Sequence, residues 1–328
     1  MDQEATAWGP ALRARPPLGA AVRDGRAVTP LFAAFAASRF LAYASGLLLF
    51  GASAMLALAG HASLARSARV RLRGLLIGAA VVGVLSVLLL LPLQTASIAD
   101  DPRAMLDPSM LGTVAWRTRY GQAWLLRMAG VAALLAVVWA GARRHGARGG
   151  WQALVAALAL APLCLGGHAA MQEGGAGIVH ALADFIHCLA AGFWLGALPV
   201  FLHCLRAWEQ PDLRPQAGRA LMRFSTAGHI AVALLLASGA VNAWMIVAPA
   251  GLDADAGYQQ LLLLKILLAL AMALLAVVNR YRWLRRLRVA REQALARIRG
   301  NTIAELVLGA LALAVVGCLG LMAPGPMS

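Results

Sequence analysis

The sequence predicts an all-α polytopic membrane protein, a bundle of eight transmembrane helices with both termini on the outer face. Three observations carry this. Of 328 residues, 61% are hydrophobic and 13% charged, and the mean hydropathy is +0.73. The apolar residues come in runs near the 20 or so that a helix needs to cross the hydrocarbon core. The charge, a formal net +15, is concentrated in short connections between those runs, which is how membrane proteins encode orientation rather than how proteins bind nucleic acid.

Eight spans are expected, at about 33–58, 74–97, 121–141, 151–171, 178–203, 222–248, 258–280 and 301–323. Residues 1–30 are polar and Pro-containing with no apolar signal core, and read as a poorly ordered tail before a transmembrane domain over 31–328. Orientation follows from Arg. One set of alternate connections holds Arg66, Arg69, Arg71 and Arg73, then Arg143, Arg144 and Arg148, then Arg206, Arg214, Arg219 and Arg223, then eight more from Arg280 to Arg299. The other side holds four in the tail and three between 103 and 119. The Arg-rich side is expected to be cytoplasmic, which leaves both termini outside. Trp116, Tyr120, Trp124 and Tyr258, near outer span ends, read as an interfacial aromatic belt.

Some functions are excluded or disfavoured at this level. There is no Walker A motif and no long hydrophilic stretch for a nucleotide, so no nucleotide and no nucleic acid partner is expected. Cys164, Cys188, Cys204 and Cys318 lie in or beside apolar spans with no C-x-x-C pair, against a disulfide framework or a structural zinc site. Cys164 and Cys318 read as small buried hydrophobes.

The chemistry concentrates in span five. His180, Asp184 and His187 are spaced i, i+4, i+7 and share one helix face. Ionisable groups are costly inside a bilayer and mark pathways or bundle interiors. His187 lies about 10 Å deeper than His180 at 1.5 Å per residue, and Asp184 between them can orient either imidazole. Span four ends with His168 and Met171, with Glu173 just beyond, across a Gly-rich loop from His180. Imidazole with nearby thioether and thiol groups (Met171, Cys188) suits copper(I). Two histidines seven apart do not chelate by themselves, so His168 is the first choice to complete a site. The plain alternative is that each histidine is a hydrogen-bonded packing residue. That reading is preferred for His203 and Cys204, His61 and His145 read as solvated, and His229 is open.

A second constellation lies at similar depth. Arg39, Arg127, Asp184 and Lys265 each fall five to eight residues inside the outer end of an odd-numbered span. One carboxylate among three cations invites a buried pair, Lys265–Asp184 or Arg127–Asp184. The alternative is that Arg39 and Arg127 snorkel to the headgroups. Glu305, near the other end of span eight, is expected to pair with an Arg.

These residues resemble a family. Gly167-His168-Ala169, then His180-x3-Asp184-x2-His187 followed by Leu189-Ala190-Ala191-Gly192-x-Trp194-Leu195-Gly196-Ala197-Leu198, is similar to the copper resistance protein D family. So are Arg223-Phe224-Ser225, Ser238-Gly239-x2-Asn242-Ala243-Trp244, and Tyr258 with Leu262-Leu263-Leu264-Lys265, ending at Asn279-Arg280-Tyr281-Arg282. The likeness covers a core at about 151–285. It implies a multi-pass protein of the bacterial inner membrane, whose termini the Arg distribution puts in the periplasm. Such a protein would move copper from periplasm to cytoplasm beside a periplasmic copper-binding partner of the CopC type, without being an enzyme. On that pattern His168, Asp184 and His187 handle copper, His180 less firmly, while Trp194, Gly196 and Lys265 are structural. Below His187 the same face reads Ala191, Trp194, Leu198 and Leu202, so the inner half of a route needs Met245, Met272 or His229 from other helices. The rival from another class is a haem b membrane oxidoreductase or electron carrier, with two of the histidines as axial ligands and the cationic cluster holding propionates. A third is a scaffold for a periplasmic chaperone.

Overall fold

The computed structural model describes residues 30–60, 62–143, 149–164, 174–253, 255–287 and 289–322. The expected tail, and with it His61, His145, His168, Met171 and Glu173, lies outside the described residues.

Each of the eight expected segments is helical within its described residues: α1 (Pro30–Ala59), α2 (Ala62–Ala99), α4 (Arg119–Arg143), α5 (Gly149–Cys164), α6 (Gly174–Ala207), α7 (Arg214–Ala250), α8 (Gly257–Val278) and α9 (Arg291–Leu319). Among the described residues six helices are long and apolar enough to cross a bilayer; α4 and α5 fall outside that set. The connection after α2 holds a 3₁₀ turn (Pro102–Leu106) and α3 (Pro108–Arg117). The local code is clear in retrospect. Asp101 accepts from the Arg103 amide and Asp107 from those of Ser109 and Met110, each just before a Pro at the first helical position.

α1 and α6 form the centre. Their backbones touch where Gly51 of α1 faces Gly192 and Gly196 of α6; a methyl on Gly51 or Gly196 would overlap main-chain atoms across the contact. This small-x3-small crossing lets two helices approach where lipid offers no hydrophobic drive for association. α7 packs along α6, α2 and α5 along α1, and α4 closes against α2 and α5. α8 leans on α9 and scarcely touches α7, although the two are neighbours in sequence.

Two expected belt residues turn inward. Trp124 Nε1 donates to the Val87 carbonyl (2.6 Å) and Tyr120 Oη to that of Leu90 (3.2 Å), both on the N-terminal side of Pro92, which lies inside α2. They supply donors to a perturbed stretch of backbone rather than anchoring at headgroups. Tyr258 is also buried, whereas Trp116 is exposed as expected.

Candidate functional site

The i, i+4, i+7 trio sits on α6, and α7 runs antiparallel beside it. Asn242 Nδ2 of α7 donates to Asp184 Oδ1 at 3.2 Å. One turn deeper, His187 Nδ1 lies 3.1 Å from the Leu235 carbonyl and 3.3 Å from Ser238 Oγ. The Ser238 hydroxyl has its own acceptor in the Leu234 carbonyl at 2.6 Å. A carbonyl only accepts, so Nδ1 carries the proton and Nε2 of neutral His187 is left as a lone-pair donor. Gly239 makes room for the ring: a methyl there would stand 3.1 Å from Cε1 and 3.3 Å from Nδ1. The α7 sequence Ser238-Gly239-x2-Asn242 is thus the other half of the α6 trio. It holds His187 by its Nδ1 edge and Asp184 by one oxygen, as the outer contacts of a metal ligand do. His180 is 2% exposed, one turn above Asp184.

Lys265 of α8 and His180 are the groups that act electrostatically on Asp184. The hydrogen bond to Asp184 comes from Asn242, and Lys265 contributes through its field. Arg127 does neither: its Nε donates to the Pro162 carbonyl (3.0 Å) and its guanidinium lies 5.8 Å from the Tyr120 ring centre. It is 5% exposed, so it does not snorkel. Arg39 stacks over Tyr43 at 5.7 Å and is packed against Gly320. Arg39, Arg127 and Asp184 of the expected constellation do share one neighbour, a residue the sequence did not single out. Tyr43 of α1 feels Arg39, Cys188, Arg127 and Asp184 together.

Below this level, Glu305 departs from expectation. It does not pair with an Arg: Trp194 Nε1 donates to Oε2 and Asn279 Nδ2 to Oε1, both at 3.1 Å, and Asn301 Nδ2 donates to Asn279 Oδ1 at 2.7 Å. The expected structural role of Trp194 is therefore a polar cross-brace from α6 to α9. Cys204 is fully buried and His203 nearly so. Among the described residues no three His, Cys, Asp or Glu side chains converge closely enough to hold a metal ion. His168, the expected third ligand, is not among them.

Family comparisons bear on this arrangement. Residues 29–178 match the model for the N-terminal domain of copper resistance protein D-like proteins, and 218–319 match that for copper resistance protein D. Copper resistance protein D of Pseudomonas syringae pv. tomato is 34% identical over 219 residues, 63% of this chain and 70% of the relative. The chain belongs to the copper resistance protein D family. The inner membrane protein YebZ of Escherichia coli is 37% identical over 159 residues, 48% of this chain and 54% of the relative. The copper transport protein CutJ of Bacillus subtilis is 29% identical over 216 residues, 64% of this chain and 39% of the relative. The chain thus spans about half the length of YebZ and two fifths of that of CutJ. No solved structure matches. His180, Asp184 and His187 fall between the two matched stretches, while their α7 partners Ser238 and Asn242 fall inside the second.

Proposed function

We propose that this protein is a copper transport and homeostasis protein of the bacterial inner membrane that carries copper inward through a site on α6. His187 and Asp184 bind the ion, His180 and His168 receive it at the outer face beside Met171, and Cys188 lies deeper, next to His187. Eight spans with both termini in the periplasm put that entry on the side where a CopC-type copper-binding protein would deliver cargo. The protein is a carrier and not an enzyme; copper is its substrate.

The observation that carries the reading is the pair of α7 contacts on Asp184 and His187. A half-buried imidazole with its Nδ1 proton fixed on a carbonyl offers Nε2 in one orientation, and a carboxylate one turn away is held by an amide. Copper(I) accepts imidazole and thiol ligands in low coordination numbers, so a pathway can pass the ion between few donors at a time. Asp184 offsets the ion's charge in a low-dielectric setting, and Lys265 keeps the empty site from retaining a carboxylate with no countercharge.

The test is copper and iron per chain in protein purified after growth in copper, together with copper sensitivity on overexpression. Copper near one per chain, lost in His187→Ala and kept in His145→Ala, is the expected result. Equal effects of the two substitutions would sink the ligand assignment. Iron near one per chain without copper would instead put haem on these imidazoles.

A further inference from the structure

A cavity of about 280 Å³ lies between α6, α7, α8 and α9, at the end of the bundle that carries the Arg-rich connections. It begins on the α6 face below His187, where Trp194 and Leu198 line it, and reaches Glu305 of α9. Its mouth is the gap between α7 and α8. Leu236 and Val277 on either lip are 39% and 45% exposed, and Ala233 is exposed beside them. In a membrane-spanning bundle that surface meets lipid tails, so the entrance is lateral.

Three features define what fits. The first is His229. Its Nδ1 lies 2.7 Å from the Ser225 carbonyl and therefore carries the proton; Nε2 is buried, without a partner, and the residue lines the cavity. A buried lone pair of this kind calls for a hydrogen-bond donor from a ligand. The second is charge. Glu305 and Arg280 line the same cavity, the latter held by Ser225 Oγ at 2.8 Å. The carboxylate disfavours an anionic headgroup and the guanidinium a cation, which selects a neutral polar group. The third is shape. Trp194, Phe201 and Phe224 line the space, and aromatic walls favour a flat ring. The volume lies near the lower end of the roughly 300–1,000 Å³ usual for ligand pockets, enough for one ring and not a macrocycle. A π-helical turn (Asn279–Trp283) interrupts the α8 helix here and supplies Asn279 and Arg280 to the cavity, a distortion often found at functional sites.

We propose that this cavity binds a quinol-type amphiphile from the bilayer, its ring hydroxyl donating to His229 Nε2 and its apolar tail leaving between α7 and α8. The site is separate from the α6 copper positions and stands whether or not copper passes them.

The full chain in phospholipid nanodiscs would be titrated with a radiolabelled decyl-tailed benzoquinol held reduced, and separately with its oxidised quinone. Saturable binding of one quinol per chain is expected. The quinone, which cannot donate to Nε2, should bind at least about fivefold more weakly. Ala233→Trp, which fills the mouth, should abolish binding in protein that remains monodisperse. His229→Phe should remove the preference for the reduced form. Non-saturable partitioning, equal affinity for both forms, or a tightly bound phospholipid that the quinol does not displace would each overturn the proposal. The copper content of Ala233→Trp, read in parallel, distinguishes loss of this pocket from loss of the α6 site.

Discussion

Asn242→Ala tests the link between α6 and α7. The substitution removes the donor to Asp184 Oδ1 and leaves a half-buried carboxylate with the fields of Lys265 and His180. In water a hydrogen bond to a charged group contributes about 1.5–3 kcal/mol. Interhelical side-chain bonds in a bilayer average about 0.6 and reach about 1.7 kcal/mol, because the separated helices find other partners. The 3.2 Å length and partial exposure argue against the top of either range, so a coupling of about 1 kcal/mol is expected, about fivefold in an equilibrium constant. A double-mutant cycle isolates it. The parent, Asn242→Ala, Asp184→Asn and the double variant would be unfolded reversibly in lipid bicelles, and copper affinity measured on the same four proteins. The double variant should be no more than marginally worse than the poorer single one. Additivity within about 0.3 kcal/mol in both assays would mean that the bond does not join these residues energetically.

Three further outcomes follow from the packing. Gly196→Leu places side-chain atoms on the α1 main chain at Leu47, where no flexible group can yield, and should abolish accumulation of folded protein; Gly78→Ala meets nothing within 4 Å and should melt as the parent does. Gly239→Ala pushes the His187 ring by a few tenths of an ångström against the Leu235 carbonyl; copper affinity should fall several-fold while thermal stability, read by fluorescence-detected size exclusion, changes little. Trp194→Phe strips Glu305 Oε2 of its donor and should lower stability by about 1 kcal/mol, with Asn279→Leu added lowering it further, both measured by denaturant titration in bicelles.

Helix positions were legible because bilayer thickness imposes a length on each apolar run, and the i, i+4, i+7 trio because helical period is fixed. What a one-dimensional pattern does not carry is azimuth, the direction each helix turns its faces. Hence Arg127 was matched with Asp184 when it faces the Pro162 carbonyl on α5, and Glu305 with an Arg when it faces Trp194 and Asn279. Tyr43, Ser238 and Asn242 carried a weaker signal, being polar residues in otherwise apolar stretches. Asn242 and Ser238 stood in the motif that suggested the family, but nothing in their spacing pointed across to α6. The π-helical turn after Val278 has no sequence signature, since one extra residue per turn leaves composition unchanged.

α8 is the most apolar of the spanning helices, with a mean hydropathy of 2.9 over its best window and 6% of that window buried by protein. One side is buttressed by α9; the hydrocarbon of the membrane is the packing partner for much of the rest. Lipid is thus a structural component of this fold, and α8 is where the thickness and tail composition of the surrounding leaflets act on it directly. Because Lys265 rides on that helix, a tilt imposed by a thinner or thicker bilayer would carry its charge toward or away from Asp184. The acyl chains around the protein would then tune the electrostatics of α6 without touching it.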